Sequence, residues 1–217
     1  MDQPSNLIEQ FWSNRYIGVG DEYLFGKDPN RYLVRQIECI KKSGNNVLLV
    51  ADGEGRNATY LASHGLDVTA FDISPVAAKK AEALARNAGV KAHFICADML
   101  CDDFLSLLPK QNFDWVIGIF IQFTDSKNRL KQLELMKALT KPGGRILLQG
   151  YTPKQLEYKT GGPPDIDHLY TTQILQSAFK DWVIEELIEY EEIIHEGSGH
   201  DGLSALIGMI AKKEKMD

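Results

Sequence analysis

Between residues 46 and 150 the chain alternates apolar runs of strand length with segments of helical period, and this alternation restricts the fold more than any other feature. "NVLLVA" (Asn46 to Ala51) is apolar without interruption, the pattern of a strand covered on both faces in a parallel sheet. A glycine turn and a helical stretch follow in "GEGRNATYLASHG", with Gly65 placed to end the helix. "DVTAFD" (Asp67 to Asp72) is the second run; Ser74 then caps a helix that has Pro75 in its first turn, and Gly89 stops it. "KAHFICA", "FDWVIGIF" and "RILLQG" are the remaining runs, with Cys96 inside the third expected to act as a buried small hydrophobe. A short helix over Asp103 to Leu108 and a longer one in "NRLKQLELMKALT" separate them. Leu130, Leu133, Met136, Lys137 and Ala138 of the longer helix span a core-facing side, and "KPGG" breaks it. Strands alternating with helices predict a doubly wound parallel sheet with right-handed crossovers. The end departs from this pattern. Asp181 to Ile194 and Leu203 to Lys212 are strand-like and joined only by "HEGSGHDG", a loop suited to antiparallel neighbours. The expected fold is α/β: a Rossmann-like, doubly wound, seven-stranded and mostly parallel sheet with one antiparallel strand at the C-terminus.

About 45 residues precede the alternation. "NRYLVRQIECIKK" reads as an amphipathic helix with Tyr32, Leu33, Ile37 and Ile40 on one side. The aromatic, glycine-containing stretch before it, "FWSNRYIGVGDEYLFG", reads as a cap over the sheet that becomes ordered with a ligand. Residues 1–217 are expected to form a single domain, with 1–45 as cap or lid and 46–217 as core. A net charge of −6 disfavours nucleic acid and anionic membrane as partners. No run of about 18 apolar residues is present, so no transmembrane helix is expected. "MDQPSNLIEQFW" is polar and acidic, unlike a targeting peptide. Three cysteines without C-x-x-C spacing argue against a disulfide framework and point to a reducing, cytoplasmic setting.

The carboxyl ends of the strands carry the chemistry. The first runs into Asp52-Gly53-Glu54-Gly55, where glycines let the backbone turn and approach a ligand. Asp72 ends the second strand, where a carboxylate can accept hydrogen bonds from ribose hydroxyls. Asp98 ends the third and can hold an adenine amino group, while Ile73 or Met99 packs on the ring. Together they indicate an adenosine ligand. Gly53 to Ala58 also satisfies G-x-G-x-x-[GA], so a nicotinamide-dependent oxidoreductase is an alternative, although the antiparallel terminal strand and the "KPGG" turn favour methyl transfer.

"VLLVADGEGRNATYLASHGLDVTAFDISPVAAKKA", "ICADM", "FDWVIGIF" and "LTKPGGRILLQGY" resemble the successive motifs of class I S-adenosylmethionine-dependent methyltransferases. The start, "FWSNRY…EYLFGKDPNRYL", and the tail, "YTPKQLEYKTGGPPD…HEGSGHDG", are similar to the bacterial tellurite-resistance and thiopurine-like group. The resemblance implies S-adenosylmethionine as cofactor, S-adenosylhomocysteine as product, and a small-molecule acceptor such as a thiol or chalcogen. A catalytically inactive, adenosylmethionine-binding partner subunit is a further alternative. The candidate cofactor-binding residues are Asp52, Gly53, Gly55, Asn57, Asp72, Ile73, Asp98, Met99 and Ile119. The chain departs from the family at Leu49, where an acidic residue is usual, and at Ala51, the usual first glycine; Asp52 is expected to take over the contact to the methionine end.

The acceptor should enter above the same sheet edge. The cap, the insert Tyr151 to Tyr170 and the "HEGSGHDG" loop are expected to reach it, which makes Tyr16, Tyr23, Tyr151, His195 and His200 the candidate substrate-binding residues. Trp12 is assigned to the core. The two loop histidines, with His168 as the nearest third ligand, lack metal-site spacing, and no metal is expected. His64 and His93 read as structural. No catalytic residue is fixed by sequence, and the chain is expected to act as a monomer or homodimer.

Overall fold

The computed structural model describes residues 4–108 and 112–215; the first three residues of the expected cap lie outside them. Seven strands form one sheet: β1 (Asn46–Val50), β2 (Asp67–Asp72), β3 (His93–Cys96), β4 (Phe113–Ile119), β5 (Thr140–Tyr151), β6 (Val183–Glu196) and β7 (His200–Lys212). Their order is β3-β2-β1-β4-β5-β7-β6. The first five are parallel and β7 is antiparallel to both neighbours, so β6 again runs with β1. The expected antiparallel strand is therefore β7, and it lies between β5 and β6.

Side-chain alternation divides the core into two layers. Val47 and Leu49 of β1 pack with Leu33, Ile37 and Ile40 of α2 (Arg31–Ser43) and with Ala58 and Leu61 of α3 (Arg56–Ser63). Leu48 and Val50 face the other way, toward Leu133, Met136 and Leu139 of α6 (Ser126–Leu139). A strand buried on both faces cannot alternate with polar residues, which is why Val47–Val50 of β1 and Trp115–Ile119 of β4 read as apolar runs. Each such Val, Leu or Ile contributes roughly 1.5–3 kcal/mol of burial. The caps follow the sequence: Asn30 Oδ1 accepts from Leu33 N, and Ser74 Oγ accepts from Ala77 N at the start of α4 (Pro75–Asn87). No helix among the described residues is long and apolar enough to cross a membrane.

Three local expectations are corrected. Cys96 is exposed, because β3 is an edge strand and its last residue is uncovered. On α6, Leu130 is 60% exposed and Ala138 is exposed; the inward stripe is Arg129, Gln132, Leu133, Met136 and Leu139, with Gln132 and Arg129 held by polar partners. The "KPGG" turn lies inside β5, where pairing to β4 shifts register between Phe113 and Trp115.

Candidate active site

Strand order reverses between β1 and β4, the place where open parallel sheets bind ligands. A cavity of about 850 Å³ opens there, near the top of the roughly 300–1,000 Å³ range of ligand sites. Its floor is the ends of β1, β2 and β4. One wall is α1 (Pro4–Gly18), whose Leu7, Phe11, Trp12, Arg15 and Tyr16 face it at helical spacing. The insert supplies Gly161 to Pro164 and His168, and the β6–β7 hairpin supplies Ser198, Gly199 and His200.

The adenosine-side candidates converge. Asp52, Gly53, Asn57, Asp72, Ile73, Asp98, Met99 and Ile119 all line the cavity. Asp72 is buried and uses one oxygen to accept from Gly53 N (3.0 Å) and the other from Ser74 N (2.9 Å). Burial raises its pKa to about 6 against those hydrogen bonds. Asp98 Oδ1 accepts from Leu100 N, which fixes the carboxylate at the end of β3. Gly53 takes φ +61, and a Cβ there would meet the Tyr16 hydroxyl at 3.0 Å, so the bare backbone lies directly beneath α1. Gly55 is different. It does not line the cavity; a Cβ there would strike Ala81 at 2.5 Å, so this glycine permits close packing of α3 on α4.

Asp52 lines the cavity and has structural partners as well. Its oxygens accept from Ala58 N (3.1 Å) and Asn57 Nδ2 (3.2 Å), so the carboxylate caps α3 while forming part of the cavity wall. Burial raises its pKa to about 7. Leu49 reaches the cavity from the apolar α2–α3 layer. Ala51 occupies the left-handed region at φ +48, the conformation for which a glycine is suited. Phe120, the residue after β4, is likewise at φ +55, and both line the cavity. Strained residues of this kind concentrate at functional sites.

On the acceptor side the structure separates the five candidates. Tyr16, Tyr151 and His200 line the cavity; Tyr23 and His195 do not. Tyr23 turns its hydroxyl to Lys80 O (3.2 Å) and holds Lys27 and Lys80 over its ring. His195 is exposed and pairs with Asp201 at 2.5 Å on the outer side of the hairpin. Trp12, assigned to the core, packs half-buried against the Tyr16–Leu24–Ala77 cluster and is also a cavity wall, stacked on Tyr16 and covered by Arg15 at 4.9 Å. His168 lines the cavity with Nδ1 3.2 Å from Gln122 O. His64 and His93 lie outside the cavity, as a helix end and a strand residue. Among the described residues no group of three or more His, Cys, Asp or Glu side chains could hold a metal ion.

Two features escaped the sequence. Glu54 is buried and accepts from Leu24 N (2.7 Å) and Lys80 Nζ (2.9 Å), which ties the cap to the glycine loop. Arg56 and Glu196 form a buried ion pair at 2.5 Å, and Asn30 Nδ2 also donates to Glu196. Both rest on charged residues adjacent to glycines, but their partners lie far away in sequence, so no local pattern announces them. The cap also packs on the hairpin: Gly199 N donates to Leu24 O (3.1 Å), and a Cβ at Gly199 would enter the Phe25 ring at 2.3 Å.

Residues 47–144 match a family model described as a methyltransferase domain. No curated protein matches the chain. Among solved structures, one from a study of the conversion of a disulfide bond into a thioacetal group during echinomycin biosynthesis aligns with TM-score 0.78 and 18% identity, over 97% of this chain and 93% of its own. Magnesium protoporphyrin IX methyltransferase from Synechocystis PCC 6803, solved with S-adenosylhomocysteine, aligns with TM-score 0.69 and 15% identity, over 98% and 100%. TehB from Haemophilus influenzae aligns with TM-score 0.67 and 18% identity, over 94% and 67%. Residues 47–144 are thus similar to a methyltransferase domain, and the chain has the Rossmann-like fold of the class I S-adenosylmethionine-dependent methyltransferases.

Proposed function

We propose that the protein transfers a methyl group from S-adenosylmethionine to a small-molecule acceptor whose nucleophile is soft, a thiol or chalcogen. The observation that carries this reading is the cavity at the β1–β4 reversal, lined by Gly53, Asp72 and Asp98 at successive strand ends within a matched methyltransferase domain. These residues fit the cofactor. Asp72 would accept from the ribose hydroxyls, Asp98 would hold the adenine amino group, and Ile73 and Met99 would pack on the ring. Arg15 makes no ion pair among the described residues and sits over Trp12 at the cavity wall, where it would meet the methionine carboxylate. When bound, the sulfonium supplies an activated methyl group. The protein's part is then to orient the acceptor and exclude water.

The aromatic face of α1 suits residues 1–45 to be a cap over both ligands within one functional unit. Trp12, Phe25, Phe120 and Tyr151 give the acceptor region flat apolar walls with few competing charges. A sulfur acceptor draws support from one of the similar structures, which belongs to a study of disulfide-to-thioacetal conversion. The net charge of −6 and the free cysteines favour a cytoplasmic monomer or homodimer without nucleic acid or membrane partners. Isothermal calorimetry with S-adenosylhomocysteine and, separately, NADH and NADPH tests the cofactor: binding of the first is expected, and binding of a nicotinamide alone overturns the reading. Methyl transfer to thiols, selenite and tellurite then tests the acceptor.

A further inference from the structure

The hairpin joining β6 and β7 turns through only Gly197, Ser198 and Gly199, so Glu196 and His200 form a cross-strand pair, and His195 and Asp201 form the next. Successive side chains alternate in direction, which puts the first pair inside and the second outside. Glu196 Oε2 lies 2.5 Å from Arg56 Nη2 and 4.0 Å from His200 Nδ1, while Oε1 accepts from Asn30. His200 Nδ1 is buried and has no hydrogen-bond partner. With Nδ1 turned to Glu196, the opposite ring nitrogen, Nε2, is left for the cavity that His200 lines. Phe120 at 4.4 Å, Phe25 at 4.6 Å and Tyr151 at 5.6 Å close around the imidazole. A purely structural histidine in such a place would be expected to bond a backbone carbonyl, as His168 does to Gln122 O.

We propose that His200 is the general base of the methyl transfer, taking a proton at Nε2 from an acceptor that carries S–H, with Glu196 and Arg56 as positioning residues. This rests on the sulfur-acceptor reading above and deepens it. The thiolate, not the thiol, is the nucleophile, so a protonated acceptor must lose its proton before or during attack. The S–H proton passes to Nε2, and the sulfur pair forms the new S–CH₃ bond. The C–S bond of the sulfonium breaks, with its electrons returning to the donor sulfur. A methyl thioether, a neutral S-adenosylhomocysteine and an imidazolium remain, and the imidazolium releases its proton to solvent. Acceptors that are already ionised have no need of this residue.

The electrostatics suit the role. Burial lowers the His200 pKa, so the resting imidazole is neutral at neutral pH with a free lone pair. The charged and titratable groups facing it are Glu196 from β6, Arg56 from α3, Arg15 from α1 and the Tyr151 phenol from β5; burial pushes the phenol's pKa up, so it stays neutral. Burial raises the Glu196 pKa, but the facing imidazole and Arg56 hold it down at about 2. An ionised carboxylate 4.0 Å from Nδ1 is therefore in place to stabilise the imidazolium when it forms.

The test compares wild type with His200→Gln on two thiols, 2-mercaptoethanol, largely protonated near neutral pH, and 4-nitrothiophenol, largely ionised. The variant should lose on the order of 10²-fold or more in kcat/KM with the first and less than tenfold with the second. Its S-adenosylhomocysteine affinity should be unchanged by calorimetry. An equal loss on both thiols, no loss on either, or no wild-type turnover of either thiol overturns the proposal. Independently of turnover, and decisive if the variant fails to fold, NMR of the wild-type imidazole with S-adenosylhomocysteine bound should report a neutral ring at pH 7 that shifts when 2-mercaptoethanol is added. An imidazolium at pH 7, or a ring indifferent to the thiol, overturns it. Failure of S-adenosylhomocysteine to bind the wild type refutes the cofactor reading instead.

Discussion

Replacing Glu196 by Gln keeps the side-chain shape and an acceptor for Asn30, and removes the charge that answers Arg56. Both members of the pair are buried, with side chains 6% and 7% exposed, so solvent screens little of the loss. Two routes give its size. Breaking a buried pair by removing one partner typically costs about 3–5 kcal/mol, because the remaining charge stays buried. From linkage, a carboxyl held at about 2 against an ordinary 4.5 corresponds to about 3 kcal/mol. For a chain of this length, 3 kcal/mol lowers Tm by about 6–12 °C. The sign with pH is fixed as well. Glu196 is depressed in the folded chain, so its contribution is complete above pH 4.5 and disappears as pH falls toward about 2. Chemical denaturation of wild type and Glu196→Gln should therefore give curves about 3 kcal/mol apart near pH 7 that approach each other as the pH is lowered. Arg56→Met combined with Glu196→Leu should recover most of the stability, since an apolar pair replaces the ion pair without leaving a charge behind. A difference under about 1 kcal/mol at pH 7, or one independent of pH, would show that water reaches the pair and that the hairpin is held by something else.

Asp72→Ala should weaken S-adenosylmethionine binding by about 1–3 kcal/mol, the scale for losing hydrogen bonds to a charged group; unchanged affinity in a folded variant removes Asp72 from the site. Burial raises the Asp72 and Asp52 pKa values from 3.8 to about 6 and about 7 in the ligand-free chain, so stability from these groups is complete below pH 3.8 and lost as pH rises from there to those values. A cationic sulfonium prefers ionised carboxylates, so affinity should rise as pH goes from about 5.5 to about 8 with proton release on binding; calorimetry showing no pH dependence rules this out. Amides of Leu7 to Tyr16 should gain hydrogen-exchange protection when S-adenosylhomocysteine binds, and equal protection in both states would make α1 a fixed wall rather than a lid.

The sheet and its ligand edge were legible because they follow from local periods. Five apolar runs fixed the strands, and a loop too short for a crossover fixed the antiparallel turn of β7. The convergence of Gly53, Asp72 and Asp98 on one cavity was legible for the same reason: they end strands, and parallel topology brings strand ends together. Where tertiary context decides, sequence spacing misled. Gly55 matches a dinucleotide fingerprint yet faces Ala81, since the third position of a turn is spent on helix packing as readily as on ligand approach. On α6, Leu130 is exposed and Gln132 buried, because Thr124 Oγ1 and Ile121 O supply the amide with partners at the foot of the helix. Asp52 turned inward for a similar reason: with Asn57 and Ala58 one turn away, capping α3 was the nearest use for its oxygens.

The two hairpin histidines show how much more could have been extracted from the same letters. Both sit beside "GSG" and look equivalent as loop residues. If the strands continue up to a three-residue turn, position 196 must face position 200, and 195 must face 201. Only one of these pairs can face the core. Ile194, two residues before Glu196, is buried, and Ile193, two before His195, is 56% exposed, so the inward pair is Glu196–His200. The outward pair, His195–Asp201, is then a solvent-exposed hydrogen-bonded pair of little energetic weight. An inward Glu beside an inward His needs a cation to keep the carboxylate ionised under burial, and the arginine that opens α3, next to the glycine loop, is the one within reach. The residue after the turn is thereby fixed over the cavity by the helix that the glycine loop opens, so the hairpin and glycine-loop sides of the cavity are held by one buried network rather than by two independent loops.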